Sequence, residues 1–222
     1  QCAGYMRMYH PIYLKLLRQA CNKYNIHLIA DEIAVGFGRT GTMFAYEQSR
    51  ITPDIICLSK GITGGYMTLS TILTTDELYN AFYDEYTKLN AFLHSHSYTA
   101  NPIACAAANA SLDLFEKNNV IHKNKVVSKY IKKSLQDLED HPHVSDIRQH
   151  GMIAAVEIVK NKSTKKPYDW KERRGIRAYQ YGLKHNVLIR PLGNVIYFMP
   201  PYVIKKKEID KVINVIKGAI DA

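Results

Sequence analysis

"LIADEIAVGFGRTG", residues 28–41, is an apolar run that closes on two acids and then breaks into glycines. Gly36, Gly38 and Gly41 spell GxGxxG, the spacing with which dinucleotide folds receive a pyrophosphate on a helix N-terminus. In those folds the strand runs straight into the glycines. Here Asp31 and Glu32 stand between, where two carboxylates would repel the phosphates, and residues 42–50 make a poor first helix. The glycines therefore read as a turn, and the chemistry passes to the acids before them.

Working outward from this stretch, Pro11 opens a helix whose apolar positions Leu14, Leu17, Cys21 and Tyr24 follow helical spacing. Residues 26–30, 54–58 and 67–73 read as strands, and Thr74 with Glu77 predicts a capping box for a helix running to about Tyr86. Strands alternating with helices predict an α/β fold with a mostly parallel sheet. An alanine-rich helix follows over 103–115. Beyond it a lysine-rich amphipathic helix runs from about Val120 to about Glu139, then strands at 152–159, 187–190 and 195–199 separated by helices, and a last helix over 209–220. The change of texture places a boundary near residue 116: a large domain over 1–115 and a small α+β domain over 116–222.

The 222 residues, 46% hydrophobic and 23% charged, have the balance of a globular chain that buries a core. No apolar run approaches the roughly 20 residues of a membrane span. The net charge of +10 rests mostly on scattered lysines, such as Lys123, Lys125, Lys129, Lys132 and Lys133, and not on a dense patch interleaved with aromatics. Solvated helix faces account for it, and neither nucleic acid nor membrane is expected as a partner. The four cysteines stand apart without a CxxC. Cys57 and Cys105 read as core residues, and the expected compartment is the cytoplasm.

An apolar strand ending in Asp-Glu also suits a nucleoside triphosphatase, but no GxxxxGK[ST] loop accompanies it. Asp31 and Lys60 offer more together. Each follows a candidate strand, so both side chains emerge at one sheet edge, where open α/β sheets bind ligands. Lys60 sits in "SKGITGG", residues 59–65, with little bulk around its amine. A lysine that loses its charge easily is a nucleophile toward carbonyls, and a carboxylate opposite a pyridine nitrogen keeps that ring an electron sink. Such a pair is the minimum equipment of a pyridoxal 5'-phosphate site. His94 and His96 could form a metal pair, but no third ligand is evident, so no metal is expected.

With these residues in hand, "LIADEIAVGFGRTGTMFAYEQSRITPDIICLSKGITGG", residues 28–65, resembles the core signature of the class III, fold-type I aminotransferases. The resemblance implies pyridoxal phosphate as cofactor, Asp31 on its pyridine nitrogen, Lys60 as its covalent partner and catalytic group, and Ile33 against one ring face. "HSHSYTANPIACAAANASL", residues 94–112, is similar to the family stretch whose hydroxyl residue binds the cofactor phosphate of the neighbouring subunit. That residue is Ser97 here, which implies a homodimer with shared sites. The family often has Gly at the position of Ser95.

Within the family, Ala34 stands where ornithine-, acetylornithine- and GABA-type members carry Gln. "QCAGYMRMYHP" (1–11), "GGYMTLSTILTT" (64–75) and "VLIRPLGNVIYFMPPY" (187–202) resemble instead the branch that transaminates 8-amino-7-oxononanoate in biotin synthesis. This implies that Arg190 pairs with the substrate carboxylate, whose geometry a guanidinium fork matches. Tyr197 would line the same region, and Arg39 would face the substrate channel as a substrate-binding residue, with stabilisation of its loop the alternative role. S-adenosylmethionine is the expected amino donor. Residues 94–102, "HSHSYTANP", and 160–175, "KNKSTKKPYDWKERRG", look closer to members that use lysine. The resemblance covers the C-terminal half of such enzymes, without the glycine/serine loop and ring-stacking aromatic of the other half, so this stretch alone is expected to bind cofactor poorly. Another ω-amino-acid aminotransferase of the class and an inactive remnant are the alternative readings.

Overall fold

A computed structural model describes residues 1–221, which fall into two compact units. The first comprises residues 10–37 and 42–119. The second comprises 120 onward together with 1–9 and 38–41, two segments that the sequence had grouped with the first domain.

In the first unit, helix α1 (Pro11–Tyr24) starts where Pro11 fixes the backbone and the His10 ring accepts from the Ile12 N–H at 3.2 Å. It stops at Asn25 in the left-handed conformation. Strands β1 (Ile29–Asp31) and β2 (Ile55–Leu58) pair in parallel, Asp31 opposite Cys57, and β3 (Thr71–Thr74) pairs antiparallel to β2. The sheet, in order β1-β2-β3, is thus mixed rather than mostly parallel. The link from β2 to β3 spends its residues on a 3-10 turn (Lys60–Thr63) and on Gly64 and Gly65 at positive φ, and supplies no crossover helix. Thr74 closes β3 and cannot cap. Thr75 does so, accepting from the Leu78 N–H, and helix α2 (Asp76–Asn80) is a short stub instead of a helix to Tyr86. Helix α3 (Pro102–Lys117) is capped by Asn101, whose Oδ1 accepts from the N–H groups of Ile103 and Ala104 at 3.0 and 3.1 Å. Its buried Ala104 and Ala108 let it lie close on the 60–63 turn. Cys57 and Cys105 are only half-buried, whereas Cys21 is buried.

The second unit is an antiparallel sheet of order β4-β5-β7-β6 with helices α4 (Val120–Leu135), α5 (Arg174–Lys184) and α6 (Lys206–Ile220). Its strands are β4 (Val144–His150), β5 (Ile153–Ile158), β6 (Arg190–Leu192) and β7 (Val195–Phe198). The core joins Ile131 and Leu135 of α4 to Val156, Ile196, Ile209 and Ile216, each side chain worth roughly 1.5–3 kcal/mol on burial. Strand β4 has no counterpart in the sequence reading. Its charged Asp146 and Arg148 suit an edge strand, where Arg148 meets Asp146 and, across the ladder, Glu157. The predicted strand at 187–190 is displaced to 190–192. Val187 and Ile189 instead bury against Gly182 of α5, and Pro191 is tolerated because β6 is the other edge. Among the described residues no helix is long and apolar enough to cross a membrane.

Candidate active site

Parallel pairing of β1 with β2 brings two chemically useful side chains to the same end of the first unit's sheet. Asp31 is the last residue of β1, and the Glu32 N–H donates to the Cys57 carbonyl at 3.0 Å. Lys60 follows β2 by two residues. Both side chains are exposed. Asp31 Oδ1 accepts from the Ile33 N–H at 3.0 Å, which turns the chain and fixes the carboxylate. Ile33 is half-buried beside it. Lys60 is held in the left-handed region at φ 45°, between Ser59, whose hydroxyl donates to Leu69 O, and buried Thr63, whose hydroxyl donates to Met67 O. A lysine in that conformation is strained, and strain of this kind gathers at functional positions.

Glu32, the second acid of the opening stretch, has a different task. It is buried, and its two oxygens accept from the Ala45 N–H (3.0 Å) and the Tyr46 N–H (2.9 Å) at the start of the 3-10 turn Ala45–Ser49. Burial pushes its carboxyl up from the ordinary range against the pull of those two hydrogen bonds. The sequence reading did not assign this role.

The other expected site residues divide as follows. Ser97 lies on an exposed turn ahead of α3, where the neighbouring His96 ring accepts from the Tyr98 N–H. No group of three potential metal ligands occurs among the described residues, His94 and His96 included. In the second unit Arg190 of β6 and Tyr197 of β7 are cross-strand partners, so their side chains share a face of the sheet. They line a cavity of about 830 Å³ with Met199, Pro201, Val203 and Lys205. Arg39 belongs to this unit too. Its guanidinium donates to Pro200 O and lies 4.5 Å over the Tyr202 ring, while its carbonyl accepts from the Met152 N–H at 2.8 Å. Gly38 and Gly41, both at positive φ, close the turn that carries it, and a Cβ on Gly151 would meet Arg39 O at 2.4 Å. Tyr202, unassigned from sequence, is buried enough to push its hydroxyl up to about 12.

The family model for aminotransferase class-III matches residues 1–220. The chain belongs to the class III aminotransferases. Among class III relatives, the adenosylmethionine-8-amino-7-oxononanoate aminotransferase of Helicobacter pylori is 51% identical over 217 residues, covering 96% of this chain and 48% of the relative. That of Geobacter sulfurreducens is 47% identical over 220 residues, covering 99% and 49%. The crystal structure of the Methanocaldococcus jannaschii enzyme of the same name superposes with a TM-score of 0.89 at 40% identity, over 94% of this chain and 49% of that one. A Pseudomonas jessenii omega transaminase in complex with PMP gives 0.92 at 30% identity, over 99% and 48%. The chain spans about half the length of the curated relatives it matches.

Class III aminotransferases depend on pyridoxal phosphate. The residues at the end of β1 and β2 fit that group. Asp31 has an exposed carboxylate with one oxygen committed to Ile33, and among the described residues neither its other oxygen nor the Lys60 amine takes part in a hydrogen bond or ion pair.

Proposed function

We propose that this chain supplies the lysine-bearing part of a pyridoxal-phosphate transaminase that converts 8-amino-7-oxononanoate to 7,8-diaminononanoate in biotin synthesis. The observation that carries it is the exposed carboxylate–amine pair, Asp31 and Lys60, at one end of two parallel strands. Bound cofactor supplies an electron sink through its protonated ring nitrogen. Asp31 holds that proton in place. Ile33 confines one ring face, and the Ser97 hydroxyl serves the phosphate of a neighbouring copy in a homodimer. Lys60 Nζ would be the covalent attachment point for the cofactor, and its amine would be the base that takes a proton at the donor carbon. Arg190 receives the keto-acid carboxylate with its two-pronged donor set, beside Tyr197. The substrate assignment draws on relatives 51% and 47% identical that carry that name, against 30% for the omega transaminase. S-adenosylmethionine is the donor in this reading, with lysine the alternative suggested by residues 160–175.

The test is borohydride reduction of the longest in-frame polypeptide that carries this chain, after incubation with pyridoxal phosphate, followed by peptide mapping. Cofactor fixed on Lys60 is the expected result. Absence of label there, with other lysines labelled equally, overturns the reading. Assay of the same protein with S-adenosylmethionine and with lysine then decides the donor.

A further inference from the structure

Lys60, in the left-handed region, is followed directly by Gly61. Gly61 is not at positive φ, so no conformational need explains the absence of a side chain there. Space explains it. A Cβ on Gly61 would meet Phe37 Cβ at 2.8 Å, Cδ2 at 2.9 Å and Cγ at 3.0 Å, closer than folded chains allow. Phe37 has no room to withdraw. It is buried to 3% exposure, its own backbone is left-handed at φ 55°, and its ring meets Phe44 edge-on at 5.6 Å and Phe115 at 6.3 Å. Leu58, Ile62 and Ala108 complete the same cluster. From the other side α3 reaches the same peptide, the Ser111 hydroxyl donating to Gly61 O at 3.4 Å.

We propose that Phe37 and Gly61 form the positioning pair for Lys60: the fixed ring against the bare α-carbon sets the peptide from which the amine projects. This assigns a purpose to the last apolar residue before the Gly38 turn, and to a glycine whose torsion any residue could adopt. Neither touches the reacting atoms. The pair acts through the backbone of Lys60 and so governs where its amine sits when the cofactor carbonyl arrives. The inference rests on the reading of Lys60 as the cofactor lysine.

The experiment compares Gly61→Ala, Phe37→Leu and, as a control that softens the same cluster without removing a ring that fixes Phe37, Ile56→Ala, all in the longest in-frame polypeptide. Two quantities are read for each: the melting temperature, and the rate at which borohydride fixes pyridoxal phosphate on Lys60 as a function of pH. Gly61→Ala and Phe37→Leu should slow labelling about 10-fold, since a misplaced reacting group loses rate steeply, and displace its pH midpoint. Ile56→Ala should label at the wild-type rate even where its melting temperature falls as far. Wild-type labelling in both positioning variants overturns the proposal, as does equal slowing in Ile56→Ala at an equal melting temperature. Should Gly61→Ala not fold, Phe37→Leu against Ile56→Ala decides alone. If the wild type itself takes no label on Lys60, the functional reading fails and this inference with it, an outcome distinct from label that the variants leave unchanged.

Discussion

Glu32 holds the backbone of residues 45 and 46 with both carboxylate oxygens from a place nearly sealed from water. Its carboxyl lies above the ordinary value of 4.5, chiefly through burial, with Glu47 and Asp31 adding to the rise. The folded state therefore binds this proton more tightly than the unfolded one. The stability it contributes is present below the unfolded value and is lost as pH rises through the folded one. In urea unfolding, the advantage of wild type over Glu32→Gln should shrink as pH rises from about 4.5, and then level off; an advantage that grows across that range contradicts this account. Tyr202 gives a second residue-level expectation. Its hydroxyl, pushed up to about 12 by burial, should add no phenolate absorbance between pH 9 and 11, where exposed tyrosines ionise. Replacing Tyr202 with Phe should leave the absorbance change in that interval unaltered.

Among the elements, β4 anchors the segment 1–9 within the second unit. Arg148 donates from Nε to Met6 O at 3.2 Å and from Nη2 to Tyr5 O at 3.0 Å, while Asp146 and Glu157 hold its Nη1. Arg148→Met keeps the stem and removes every donor. Amide exchange of residues 4–7 should then accelerate toward unprotected rates while the β5–β7 ladder keeps its protection. Equal acceleration of both would mean that Arg148 supports the whole sheet. The elements also show where sequence reading succeeds and where it stops. Pro11, Asn101–Pro102 and the apolar spacing of α6 are local signals, and those helices stand where they were expected. β4 and the start of β6 were missed because each is defined by its partner: β4 is polar along its own length, and β6 contains a proline that only an edge admits.

For the molecule as a whole, the larger core is that of the second unit, and Ile216 at its centre is 1% exposed. Ile216→Ala should cost about 2–5 kcal/mol of that unit's stability in chemical denaturation. A loss under about 1 kcal/mol would show that α6 is not part of the cooperative core. The sequence alone carried the α/β class, the placing of Asp31 and Lys60 at one end of neighbouring strands and the resemblance to class III aminotransferases. These depend on residue types in fixed order along the chain. Tertiary structure decided the rest: that β3 runs antiparallel, that Glu32 turns inward while Asp31 stays exposed, that Arg39 is engaged by Pro200 and Tyr202, and that Phe37 presses on Gly61. Each of these depends on which groups distant in sequence come within van der Waals or hydrogen-bond reach. Local propensity does not encode that reach; packing does.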